Sequence, residues 1–215
     1  MDNPVVLAAR DALLASAGPG VAVLRWNSRG VGRSGGSFGG GEAEAQDLAA
    51  LVSRLSGGPA PPLGQALPSA LGAPHGFIGL AGYSFGAFVV LRAMALGARP
   101  GAVMLFSPPL DFMSFEGLDP PRVPCLVTLG DRDEFCSRAS LEAWLGAGSG
   151  PAGSGPAGSG PAGSGPAGSR PGATSPLVKI LRGVDHFYFG AERALGVAVG
   201  EFISSLQPGR LRPAS

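Results

Sequence analysis

Charge of one sign, cysteine and histidine are all scarce in this chain, and each scarcity excludes something. Sixteen Lys and Arg against fifteen Asp and Glu leave a net charge of +1 over 215 residues. That balance offers neither the basic footprint of a nucleic-acid binder nor an acidic tail. Two cysteines, Cys125 and Cys136, are too few for a disulfide framework and form no Cys-x-x-Cys pair, so both read as reduced thiols. With only two histidines, the scattered His and Cys give no metal-ligand spacing, and no cofactor is expected. The segment Met1 to Ala17 carries Asp2, Arg10 and Asp11 and lacks a basic start followed by an apolar run, so it is not expected to be a secretory signal. The longest uncharged stretch, Gly57 to Leu91, is cut by five prolines before its apolar part begins, which argues against a membrane span. A cytoplasmic protein is the expectation.

Apolar residues, by contrast, are plentiful at 45%, enough for a core, and the length fits one domain over residues 1–215 by the usual ~100 to 200 residues per domain. Glycine and proline are abundant, at 37 and 21 residues, but much of the excess is local. Residues 147–176 hold Pro-Ala-Gly-Ser-Gly three times from Pro151 and a fourth copy ending in Arg170. Alanine is the only apolar side chain in those repeats, so burial cannot offset the entropy of ordering them. They read as a disordered, dispensable insertion. A second Pro/Gly-rich stretch, residues 57–76, reads as a surface loop.

Between these punctuations, short apolar runs alternate with amphipathic ones. Val21 to Trp26, Phe77 to Gly82, Ala102 to Ser107, Val123 to Gly130 and Leu177 to Leu181 read as strands apolar enough to be buried on both faces. Pro4 to Ser16, Gly41 to Ser56, Phe85 to Gly97, Ser137 to Leu145 and Ala191 to Leu206 read as helices. Such alternation predicts an α/β fold with a doubly wound, mostly parallel sheet.

Gly-x-Ser-x-Gly occurs three times, around Ser34, Ser37 and Ser84, and in a chain this rich in Gly and Ser the bare pattern carries little weight. Context separates the three. A nucleophile elbow needs a strand running in and a helix leaving, because the sharp turn lifts the hydroxyl above the sheet edge. Only Ser84 has both. Gly82 and Gly86 leave room for that turn, and the backbone N–H of Phe85 is aimed where an oxyanion would form. The stretch Gly30-Val-Gly-Arg-Ser-Gly35 also fits a dinucleotide fingerprint, yet its helix starts only near Gly41 and the next strand ends without a carboxylate for a ribose. It reads instead as a tight polar loop anchored by Asn27, Arg29 and Arg33.

A serine nucleophile needs a base and an orienting acid, in the chain order Ser, acid, His for this kind of elbow. His75 precedes Ser84 in the proline-rich loop and reads as a surface residue, whereas His186 lies just past the last strand. For the acid, Asp133 is favoured. Asp131 directly follows the turn glycine and is better placed for an Asx turn, Asp185 adjoins the histidine, and Asp111 is the remaining rival on the preceding loop. Leu110, Phe112, Met113 and Phe115, on the loop following Pro108, either line an acyl or aryl pocket or pack that loop onto the domain.

These residues resemble a family. Met1-Asp-Asn-Pro-Val-Val6, Arg25-Trp-Asn-Ser-Arg-Gly-Val-Gly-Arg-Ser34, Gly82-Tyr-Ser-Phe-Gly-Ala87, Gly130-Asp-Arg-Asp133 and Gly183-Val-Asp-His-Phe-Tyr188 are together similar to small single-domain α/β-hydrolases of the dienelactone-hydrolase-like and peptidase-like groups. The likeness implies Ser84 as nucleophile, Asp133 as acid and His186 as base of a serine hydrolase, carboxylesterase-like, acting on a small-molecule acyl substrate. Family members usually carry, before the segment similar to Met1 to Val6, a strand and a His-Pro and Gly-Gly loop whose backbone gives the second oxyanion donor. This chain as given starts after it. The expectation is therefore an N-terminally truncated α/β-hydrolase fold with impaired activity, since one lost oxyanion donor costs about 10² to 10³ in turnover. The alternative is a catalytically weak or inactive interaction protein on that fold, or a truncated product.

Overall fold

The computed structural model describes residues 3–57, 76–147 and 175–206. The Pro-Ala-Gly-Ser repeats and nearly all of the proline-rich loop, His75 included, lie outside the described residues. Among these residues four parallel strands form one sheet in the order β1-β2-β3-β4: β1 (Gly79–Tyr83), β2 (Ala102–Phe106), β3 (Cys125–Gly130) and β4 (Leu177–Leu181). Among the described residues five helices flank it: α1 (Pro4–Ala17), α2 (Glu42–Leu55), α3 (Phe85–Ala95), α4 (Arg138–Ala147) and α5 (Glu192–Ser205). This is a doubly wound α/β arrangement.

Strand alternation sorts the core into two layers. Val103 and Leu105 of β2 and Val127 and Leu129 of β3 point to the face covered by α2, α3 and α4. Their neighbours Ala102, Met104, Phe106 and Leu126 point to the face covered by α1 and α5. Because both faces are covered, β2 and β3 are buried at every position, which is why β2 is an unbroken apolar run and β3 is apolar except at Thr128.

The helix starts follow local chemistry. Asn3 caps α1 by accepting from the N–H groups of Val5 and Val6 at 3.0 and 3.3 Å, with Pro4 in the first turn. α2 is begun by Glu44 reaching back: its carboxylate accepts from the N–H of Gly39 and of Gly41, both at 2.8 Å. Burial opposes the charge of Glu44, but those amide donors and the Arg29 guanidinium hold its carboxyl below the usual range. Such a cap contributes about 1 kcal/mol. It also fixes the end of the glycine-rich loop before α2.

The five-strand expectation needs correcting. Val21 to Trp26 forms no strand and pairs with nothing in the sheet among the described residues. Its apolar pattern is real, but a strand exists only where a neighbour takes its N–H and C=O groups, and β1 has β2 as its described neighbour. None of its residues is fully buried, and Trp26 is 41% exposed. The loop that follows also departs from expectation. It closes on its own backbone, with Gly30 N–H donating to Gly35 at 3.1 Å. Arg29 anchors it to α2 by a two-pronged pair with Asp47, at 2.9 and 2.6 Å, rather than to its own backbone. The fingerprint glycines open no helix, since α2 begins at Glu42. No helix among the described residues is long and apolar enough to cross a membrane.

Candidate active site

Because all four strands are parallel, the loops leaving β1, β3 and β4 emerge at one sheet edge. Ser84 lies between β1 and α3, Asp133 three residues past β3, and His186 five residues past β4. The structure brings the three together. His186 Nε2 lies 2.8 Å from Ser84 Oγ, and His186 Nδ1 lies 3.0 Å from both carboxylate oxygens of Asp133. The Asp133 side chain is fully buried and that of His186 nearly so.

Ser84 sits in a sharp turn with φ 52° and ψ −120°, a conformation that costs a non-glycine residue on the order of 1–3 kcal/mol. The turn is held by Ser84 N–H donating to the Phe106 carbonyl at 2.9 Å and by Ala87 N–H donating to the Ser84 carbonyl at 2.8 Å. Of the two motif glycines only Gly82 is needed for space: a Cβ there would lie 2.2 Å from the Gly86 carbonyl oxygen, while one at Gly86 would meet nothing. Phe85 is the first residue of α3, where the helix leaves N–H groups without internal acceptors.

Asp133 is held from several directions. Its Oδ1 accepts from Phe135 N–H at 2.9 Å, an Asx turn of the kind the sequence suggested for Asp131. Asp131 instead ties two loops together, its Oδ1 accepting from Gly183 N–H at 2.6 Å. Burial pushes the Asp133 carboxyl up, but hydrogen bonds with the His186 and Ser107 side chains and the Phe135 N–H outweigh it and hold the group below its ordinary value. The other aspartates are engaged elsewhere. Asp185 Oδ1 accepts from Phe187 N–H at 3.0 Å, and Asp111 accepts from Ser137 N–H and the Ser140 hydroxyl.

A buried polar layer beneath the site escaped sequence reasoning. The Ser107 and Tyr188 hydroxyls share a hydrogen bond of 3.1 Å, and those of Tyr188 and Thr128 one of 2.7 Å, with all three residues fully buried. Burial raises the Tyr188 phenol to about 12, so it stays a neutral hydroxyl. Tyr83 donates to the His186 carbonyl at 3.0 Å, fixing the backbone of the histidine loop. The available signal was Thr128, a polar residue inside an otherwise apolar strand. A second signal is conformational: Ser84, Ser107 and Tyr188 are the non-glycine residues with positive φ among those described, at 52°, 46° and 58°. All three border this site, where strain of that kind tends to collect.

The Asp133 and His186 loops meet without slack. Arg132 N–H donates to the Val184 carbonyl at 3.0 Å, and a Cβ added at Gly130 would lie 2.1 Å from that same oxygen. The obstacle is backbone, so the loops would have to separate. Gly130→Ala is expected to destabilise the fold by about 2–3 kcal/mol, seen as a lower denaturation midpoint; an unchanged midpoint would show that the loops yield freely.

On the remaining loop, Leu110 and Phe115 pack onto the core, Phe115 touching Phe88 and Trp144. Phe112 is exposed and meets Phe135. Among the other Gly-x-Ser-x-Gly serines, Ser34 donates to the Asn27 carbonyl at 2.9 Å and Ser37 is exposed in the loop before α2. Both cysteines are free and buried, their thiols pushed up to about 12 by burial. No three His, Cys, Asp or Glu side chains gather into a metal-ligand group among the described residues.

No protein-family model matches this chain. No curated protein matches it by sequence either. Solved structures do match. A lidless α/β serine hydrolase from Xanthomonas campestris is 26% identical, with a TM-score of 0.68 over 100% of this chain and 77% of that one. A protein of unknown function from Agrobacterium tumefaciens is 20% identical, with a TM-score of 0.72 over 100% of this chain and 82% of its own. A Pyrococcus furiosus esterase, 15% identical, matches with a TM-score of 0.60 over 94% and 77% of the two chains. By its sheet and these likenesses the chain is a member of the α/β-hydrolase superfamily.

Proposed function

We propose that this protein is a serine hydrolase that cleaves carboxylic ester, thioester or small amide bonds through an acyl-enzyme. The observation that carries the reading is the unbroken hydrogen-bonded line from Ser84 Oγ through the His186 ring to Asp133, at 2.8 and 3.0 Å. The serine hydrolase and esterase among its structural neighbours support the same reading.

In the first half-reaction Ser84 Oγ attacks the acyl carbon while His186 Nε2 takes its proton. The negative oxygen that forms is stabilised by the Phe85 N–H at the start of α3, where the helix dipole also favours negative charge. As the tetrahedral centre collapses, its bond to the leaving group breaks and His186 returns the proton to that group. Water then repeats the sequence on the acyl-enzyme, releasing the acid and restoring Ser84. Asp133 keeps the imidazole proton on Nδ1, so that Nε2 has a lone pair facing the serine. Its depressed pKa favours the ionised form this task requires.

A covalent intermediate has a kinetic mark. Esters of one acyl group with different alcohols share one acyl-enzyme, so added hydroxylamine should divide the product between hydroxamate and acid in the same ratio for every alcohol. A ratio that changes with the alcohol, or hydrolysis no faster than in buffer, would contradict the proposal.

A further inference from the structure

A line of aromatic rings runs outward from His186 and is unused by the chemistry above. The Phe135 ring lies edge-on to the imidazole at 4.6 Å, and the Phe187 ring lies 5.5 Å from it. Phe135 and Phe187 are 6.4 Å apart, and Phe187 and Phe189 stack at 5.8 Å with their planes 29° apart. Phe189 is 75% exposed and Phe187 46%, so core packing does not explain them. Between them Tyr188, at φ 58°, has its ring in the core while its two neighbours stack outside.

Stereochemistry says which part of a substrate passes this line. The leaving oxygen must come within reach of His186 Nε2 to receive its proton, so the group attached to that oxygen lies beside the imidazole, the ring against which Phe135 and Phe187 pack at 4.6 and 5.5 Å. The acyl chain has no such requirement. From this juxtaposition we propose that Phe135, Phe187 and Phe189 form the leaving-group subsite, which selects substrates whose alcohol portion is a flat, apolar ring system. The assignment rests on the serine hydrolase reading, because the direction of proton return orients the substrate.

The test compares 2-naphthylmethyl acetate with ethyl acetate, which share an acyl group and release alkoxides of similar basicity. The wild-type chain is expected to prefer the naphthylmethyl ester in kcat/KM. Phe189→Ser, at a site too exposed to threaten folding, should lower that preference several-fold, and Phe187→Leu with Phe189→Ser about tenfold. A general loss of folded protein lowers both esters alike and leaves the ratio fixed, and an unchanged ratio in Phe189→Ser and in the double variant overturns the subsite. Binding of 2-naphthylmethanol to the Ser84→Ala chain, followed by equilibrium dialysis, gives a readout without turnover. It should weaken about tenfold when the two phenylalanines are replaced, and unchanged binding overturns the subsite. A wild-type chain that hydrolyses neither ester overturns the hydrolase reading, and the binding measurement alone then decides whether these rings hold an apolar alcohol.

Discussion

Ser84→Ala is expected to lower ester hydrolysis on the order of 10⁶-fold while leaving the fold intact. The size follows from what the hydroxyl does. Without Oγ no acyl-enzyme can form, and His186 at 2.8 Å has no proton to take, so the line from serine to aspartate fails as a unit. The small residual rate would come from binding and from the Phe85 N–H alone. The fold should tolerate the change because the turn is secured by the Ser84 N–H and carbonyl, at 2.9 and 2.8 Å, which alanine retains. Melting temperature and turnover together decide it. A variant that melts like the wild type and still hydrolyses esters within tenfold of it would remove Ser84 from the mechanism.

Asp133→Asn comes next, with an expected loss of about 10⁴ in kcat. The structure says which end of the new amide would face the histidine. Phe135 N–H donates to Oδ1 at 2.9 Å, so the asparagine carbonyl stays at that position and its NH₂ falls at Oδ2, 3.0 Å from His186 Nδ1. A donor there competes for Nδ1 with the carbonyl left at Oδ1, also 3.0 Å away, and favours the tautomer with the proton on Nε2, which can then no longer accept from Ser84. The variant should fold, since the Phe135 bond survives, yet turn over hardly at all. A loss of less than tenfold would mean that Asp133 supports the loop without orienting the base.

How far the sequence could be read depended on whether the information was local. The setting of Ser84 was legible because a strand, a glycine-flanked serine and a helix follow one another without a gap. The placing of Asp133 and His186 at the same edge followed from their distance past strand ends in a parallel sheet. The Asx turn was assigned to Asp131, although it belongs to Asp133, because both lie in one short loop and the donor that separates them, Phe135 N–H, depends on how the loop bends. Val21 to Trp26 has strand composition, but pairing depends on a partner that composition cannot reveal. Tyr188 was the least legible. Between two exposed phenylalanines it adopts a positive φ that few tyrosines adopt, and its hydroxyl is accommodated because Ser107 and Thr128, distant in sequence, meet it in the core.

Covalent labelling followed by peptide mass spectrometry reaches the central claim most directly, because it asks whether Ser84 is an activated nucleophile without requiring the natural substrate. The wild-type chain is incubated with a fluorophosphonate beside the Ser84→Ala and Asp133→Asn variants and digested. The account predicts one phosphonyl adduct per chain, carried by the peptide containing Gly82 to Gly86 and located on Ser84, absent in Ser84→Ala and formed far more slowly in Asp133→Asn. A wild-type chain that acquires no adduct at Ser84, or that labels no faster than Asp133→Asn, would contradict it.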